Sequence, residues 1–151
     1  MKKIELGDIF EISTPKGKVY LHYIYKRQTT GELVRILPNF YLETPKKFSD
    51  LASDKEKYMI FFPLLAAYKK KIVDKVGFFS IENFTMPKFM RNEHFIRGEK
   101  LGWHIVNTET LQRTLVKTLS SEQVKYSEWA VWNDTLLIEK LTDEWSLDKW
   151  V

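Results

Sequence analysis

Apolar and polar positions alternate at short range through the first third of the chain, and turn residues close each run. Ile9, Phe10 and Ile12 are apolar around Glu11, which predicts a buried or half-buried strand with Glu11 pointing outward. Thr14-Pro15-Lys16-Gly17 follows as a turn, since proline presets φ at its second position and glycine relaxes its fourth. Across residues 18–26, Val19, Leu21, Tyr23 and Tyr25 share one face and Tyr20, His22 and Ile24 the other. Both faces are apolar or aromatic, so this strand is expected centrally, in a sheet that curls on itself. Thr29-Thr30-Gly31 makes a second turn and residues 33–37 a third strand, which Pro38 ends or sends to an edge. The three runs read as an antiparallel meander.

The pattern is less regular further on. Residues 43–57 are polar and lysine-rich, a loop or a short helix around residues 48–52. Residues 58–62 return to strand, and Pro63 breaks the register. Residues 64–68 suit helix or strand by composition. The strand reading is preferred because Lys69-Lys70-Lys71 and residues 76–79 look like the arms of another hairpin. Residues 83–98 look irregular, residues 103–107 read as strand, and residues 110–115 are a candidate partner for it. Ser120 at an N-cap with Gln123 at the third helical position makes a capping box that opens a short helix to about Tyr126. Asn133 or Asp134 can cap a last helix, on which Leu137, Leu141 and Trp145 repeat at i, i+4 and i+8. Its Glu139, Lys140, Asp143 and Glu144 fall away from that stripe. No repeat, low-complexity tract or linker interrupts the chain. The expectation is a single α+β domain over residues 1–151. It is built on a strongly curved antiparallel sheet or partly open small β-barrel with a few short helices, one near the C-terminus.

Composition narrows the chemistry. A chain of 151 residues suits one domain that buries roughly two-thirds of its unfolded surface. The absence of cysteine excludes a disulfide framework and a thiolate metal site, and is compatible with a reducing cytoplasm. Glu5 and Gly7 interrupt the N-terminal residues before any apolar core of a signal peptide forms. The longest apolar run, residues 58–68, is too short to span a bilayer and contains Pro63. His22, His94 and His104 lack the helical spacing of a metal site: His22 and His104 fall in strand-like segments, His94 in a loop. No serine sits in a nucleophile elbow, and the six glycines are not spaced to cradle phosphate. No catalytic residue, metal ligand or cofactor is assigned, and no enzyme activity is expected.

Charge and aromatics carry the positive signal. From residue 119 onward seven acidic residues face three lysines, leaving 21 basic against 13 acidic residues in the first 118. A basic body invites nucleic acid, and an acidic end invites a basic protein partner. Five Trp, seven Tyr and ten Phe suit an aromatic core, with Trp145 packing the last helix on the sheet and Trp103 buried. Trp150 is expected as an anchor at a protein interface, where tryptophan concentrates binding energy. Lysines beside aromatics on a curved sheet also allow a basic module that binds single-stranded nucleic acid. Lys46-Lys47 and Lys69-Lys70-Lys71 cluster in loops rather than alternating with aromatics along a strand, which weakens that alternative.

The order of segments resembles a known family. Gly7-Asp8-Ile9-Phe10-Glu11-Ile12 with its glycine turn and aromatic second strand is similar to the opening of the immunity protein 26 type family of bacterial polymorphic-toxin systems. Phe61-Phe62, Val76-Gly77-Phe78 and Met86-Pro87-Lys88-Phe89 look like that family's middle section. Trp103-His104-Ile105-Val106, Leu119-Ser120-Ser121-Glu122-Gln123 and Leu136-Leu137-Ile138-Glu139 through Trp145 look like its end. The resemblance implies a cytoplasmic antidote that binds a cognate toxin domain and blocks its active site or substrate path. Delivered toxins are often nucleases with basic clefts, which an acidic surface complements. Glu139, Asp143, Glu144 and Asp148, with Trp150, are the candidate partner-binding residues.

Overall fold

The computed structural model describes residues 2–151. Strands β1 (Asp8–Thr14), β2 (Gly17–Arg27) and β3 (Gly31–Ile36) form the expected antiparallel meander. Its register puts Phe10 opposite Leu21 and Leu21 opposite Ile36, so one row of apolar side chains crosses the sheet. Strand β4 (Tyr58–Phe61) pairs with β3, and β5 (Val73–Phe78) pairs with the other side of β1. The order is therefore β4-β3-β2-β1-β5, with β2 central as its two apolar faces require. A second antiparallel sheet follows in the order β6-β7-β8, from Phe89–Ile96, Glu99–Asn107 and Arg113–Val116. The fold is α+β. Its larger sheet ends on β4 and β5 and does not close into a barrel.

Two layers cover the larger sheet, one on each face. On the first face, Phe10, Ile12, Val19, Leu21, Val34 and Ile36 pack against helix α2 (Leu64–Lys69), helix α3 (Asp134–Thr142) and Trp132. On the opposite face, Ile9 and Tyr20 meet Phe48, Leu51 and Ala52 around helix α1 (Ser49–Ser53). Further along that face Ile24, Leu33 and Phe61 meet Met90 of β6. The two-sided apolar pattern of β2 thus comes from separate layers packed on both faces of the sheet. Glu11 corrects in the same way. Expected outward, it is buried beneath Thr44, whose hydroxyl donates to it together with the Tyr20 hydroxyl, and it pairs with Lys18 at 3.3 Å. Burial raises its pKa, but those three partners outweigh burial and hold it below the usual carboxylate range.

Two segments differ from expectation for physical reasons. Residues 64–68 are helical, not strand. Pro63 occupies the N-cap of α2, where a missing N–H costs nothing, and Leu64 and Ala67 turn to the core. The chain then turns into β5, which pairs with β1 rather than forming a hairpin of its own. Residues 83–98 are irregular only at the start, because β6 occupies residues 89–96. Other expectations hold. β8 pairs with β7, Asn133 caps α3 by accepting from the Leu136 N–H, and Ser120 and Gln123 exchange the two capping-box hydrogen bonds. The capping box opens only a single 3-10 turn, Gln123–Lys125. Leu137 and Leu141 are buried, and Trp145 packs edge-on to Tyr58 and Trp132 just past the helix end. Among the described residues no helix is long and apolar enough to cross a membrane.

Candidate functional site

Two buried arginines decide which surfaces are rigid. Arg91, on β6, is fully buried. Its guanidinium donates to the carbonyls of Val124, Tyr126, Leu147 and Trp150 and lies over the rings of Trp103 at 4.8 Å and Trp150 at 4.3 Å. A planar fork of five donors is the one side chain that serves four carbonyls at once. Burial brings its pKa down to about 10 while Glu128 and Glu93 pull it up, so it stays charged at neutral pH. This pins residues 124–126 and 147–150 to the second sheet. Trp150 faces inward, half-buried, with its indole N–H donated to Glu93 at 2.8 Å.

Arg35, on β3, holds the segment after α1 in the same manner. It donates to Glu56 at 2.9 Å, to the carbonyls of Ala52 and Asp54, and to His22 Nδ1 at 2.9 Å, and it stacks on Phe84 at 4.0 Å. Because arginine only donates, His22 Nδ1 must accept, which places the imidazole proton on Nε2, donated to the Phe79 carbonyl at 2.7 Å. Burial and the nearby Arg35 charge push the His22 pKa down to about 4 despite that hydrogen bond. His22 is a neutral structural group.

Between these two pinned segments runs an open trough. Three adjoining cavities of about 340, 190 and 390 Å³ share Lys55 and Glu56 in their walls. Residues 55–59 form the floor, with Val124, Lys125 and Ser127 along one side and Thr85, Pro87 and Phe89 along another. Lys57 is half-buried, and burial lowers its pKa, as does Lys149, while Glu144 raises it. Glu56 is held below the usual range by Arg35 and Lys55 against the opposing effect of burial. Tyr58 lines the 340 Å³ cavity, at the end where the C-terminal segment forms a wall. Its hydroxyl is buried without a hydrogen-bond partner, a cost of about 1–3 kcal/mol, and burial pushes its pKa up.

Of the acidic candidates, Asp148 lies in the wall of this trough. Glu139 and Asp143 are exposed at α3. Glu144 pairs with Lys16 of the β1–β2 turn at 2.9 Å, a bridge exposed on both sides. Asp148 is exposed at the rim of the cavity that Lys55, Lys57 and Lys125 also line. The structure therefore brings Glu144 and Asp148 beside lysines from other segments and leaves Glu139 and Asp143 with no ion pair within 4.0 Å among the described residues. Sequence reasoning missed Lys57, Tyr58 and Lys125 as a group. Nothing in the local pattern of residues 55–59, 83–89 and 124–127 signals that they meet.

The histidines also fall differently from expectation. His94 lies on β6 rather than in a loop, and its Nδ1 is 2.8 Å from His104 Nε2 on β7. Burial, then His94 and Arg113, lower the His104 pKa. Among the described residues no third histidine, cysteine or carboxylate joins the pair to make a metal-binding group. Compared with protein-family models, with curated proteins and with solved structures, the chain matches none.

Proposed function

We propose that this protein is an immunity-type inhibitor. It binds a cognate bacterial toxin domain in the cytoplasm and neutralises it by blocking its active site or substrate path. The observation that supports this reading most is the pinning of the C-terminal segment by Arg91. It holds Asp148 on a fixed surface, as helix α3, packed through Leu137 and Leu141, holds Glu139 and Asp143 at its end, so the acids have little entropy left to lose on docking. Fixed carboxylates of this kind complement the basic cleft of a nuclease and speed encounter. Their neighbours in the trough are lysines, so the face is bipolar and favours one orientation of a partner.

The test is binding to the toxin domain encoded by the adjacent reading frame, followed by calorimetry and by rescue of cells that express the toxin. Reversal of Glu139, Asp143, Glu144 and Asp148 to lysine is expected to weaken the complex by roughly a hundredfold or more and to change its salt dependence. Unchanged affinity and salt slope would remove that surface from the interface. Absence of both complex and rescue would remove the reading.

One observation favours a basic module for single-stranded nucleic acid. Lys2 and Lys75 join the Lys69-Lys70-Lys71 run around Tyr68. Both ammonium groups lie over the Tyr68 ring, at 4.5 and 5.5 Å, so this cluster would hold backbone phosphates rather than stack a base. Labelled oligonucleotides bound more tightly than about 10 μM in 50 mM salt, with a steep loss as salt rises, would favour this reading over toxin binding.

A further inference from the structure

We infer that the trough over residues 55–59 is a docking groove for an extended, acidic segment of a protein partner. This rests on the reading of the protein as a toxin-binding inhibitor and names what its partner must present. Shape gives the first argument. Three cavities in a row with a common floor make a groove that is long and open, suited to a strand of chain rather than to a compact small molecule.

Charge gives the second. Lys57 and Lys125 line the groove with no ion pair among the described residues, while Lys55 and Arg35 share the charge of Glu56. Asp148 at one rim and Asp54 at the opposite end are the other acidic residues in its walls, so the two lysines stand between them. Carboxylates spaced along an extended segment would meet these lysines in turn.

The third argument is independent of charge. Tyr58 lines the groove, and its hydroxyl is buried with no hydrogen-bond partner among the described residues. A carbonyl or carboxylate oxygen arriving from the groove supplies the missing acceptor. The floor is also preorganised, because Arg35 fixes the carbonyls of Ala52 and Asp54 and the side chain of Glu56 on which it rests.

The probe is a capped heptapeptide alternating glutamate with valine, compared with its lysine counterpart, titrated into the isotope-labelled full chain. Amide shifts are expected at residues 55–59 and 124–127 with the glutamate peptide alone. Lys57→Glu with Lys125→Glu should weaken that binding roughly tenfold or more. Tyr58→Phe should weaken it roughly two- to tenfold while the melting temperature stays level or rises, since the variant deletes an unpaired hydroxyl. Equal shifts with the lysine peptide, shifts mapped elsewhere, or indifference to the double variant would overturn the groove. The toxin domain provides a separate readout. If it binds the wild type and the double variant equally, the groove is overturned and the toxin reading stands. If it does not bind while the glutamate peptide does, the groove is supported and the toxin reading falls.

Discussion

At the scale of single residues, the charged and titratable groups sealed inside this protein hold its backbone in place. Arg35, Arg91, His22 and Glu11 are each saturated by their own chain, so their energetics appear as stability. His22 makes this measurable. Its pKa is about 4 when folded against 6.5 when free. Above pH 6.5 both states are neutral and the group contributes no pH dependence. Between pH 6.5 and 4 only the unfolded chain takes up the proton, so stability falls as pH falls, by up to roughly 3 kcal/mol, and levels off below pH 4. Glu11 and Glu56, whose pKa values are lowered, add a separate loss below the carboxylate range. Denaturant melts at pH 7, 5.5 and 4.5 should show the slope in the wild type and a much smaller one in His22→Gln. An equal slope in both would mean that His22 does not carry it.

At the scale of elements, what could be read from the sequence follows from how locally each element is specified. The meander was legible because its turns carry proline and glycine and its strands alternate. Helix α3 was legible because Asn133 caps it and Leu137 and Leu141 repeat every turn. Helix α2 was hidden by Pro63, which reads as a breaker yet sits at a helix start. Strand β6 was hidden by Arg91 and Glu93, charges that break an apolar alternation unless one knows that aromatic rings and distant carbonyls sequester Arg91 and that Glu93 takes Lys100 and the Trp150 indole. Of the candidate site, the exposed acids were legible, whereas the trough was not, since its walls join only in three dimensions. The second sheet hangs on one glycine. Gly102 has φ of +144° at the bulge between β6 and β7, and a Cβ there would lie 2.3 Å from the Val116 carbonyl oxygen of β8. Gly102→Ala is expected to cost about 2 kcal/mol or more and to release β8. Hydrogen exchange should quicken at residues 113–116 while β1 to β3 keep their protection. Unchanged protection of β8 would show that the bulge tolerates a side chain. Asn133→Ala should cost about 1 kcal/mol through loss of its cap, read as a shift in denaturant midpoint.

At the scale of the molecule, the division into a basic body and an acidic end describes the chain better than it describes the surface. Lys16 reaches Glu144, Lys57 lies near it, and Lys140 sits over Trp145, so cations and anions interleave where the C-terminal segment returns to the first sheet. The last residues are held to the second sheet by Arg91, which bonds at once to the carbonyls of residues 124 and 126 and of residues 147 and 150. If the acids act as a fixed surface, stability and binding should fail together when this anchor is removed. Arg91→Met keeps much of the side-chain volume but strands carbonyls that lose charge-assisted hydrogen bonds. The expected cost is about 3–5 kcal/mol, which for a domain of this size lowers the melting temperature by roughly 10 °C. Tryptophan emission should shift to the red as Trp150 leaves Trp103 and Trp145. Below the new melting point the variant should bind a toxin domain more weakly than wild type although every surface acid is intact. Stability within about 1 kcal/mol of wild type would contradict the anchoring role. Full affinity from a variant whose emission shows a freed C-terminus would mean that the partner needs the charges but not their fixed positions.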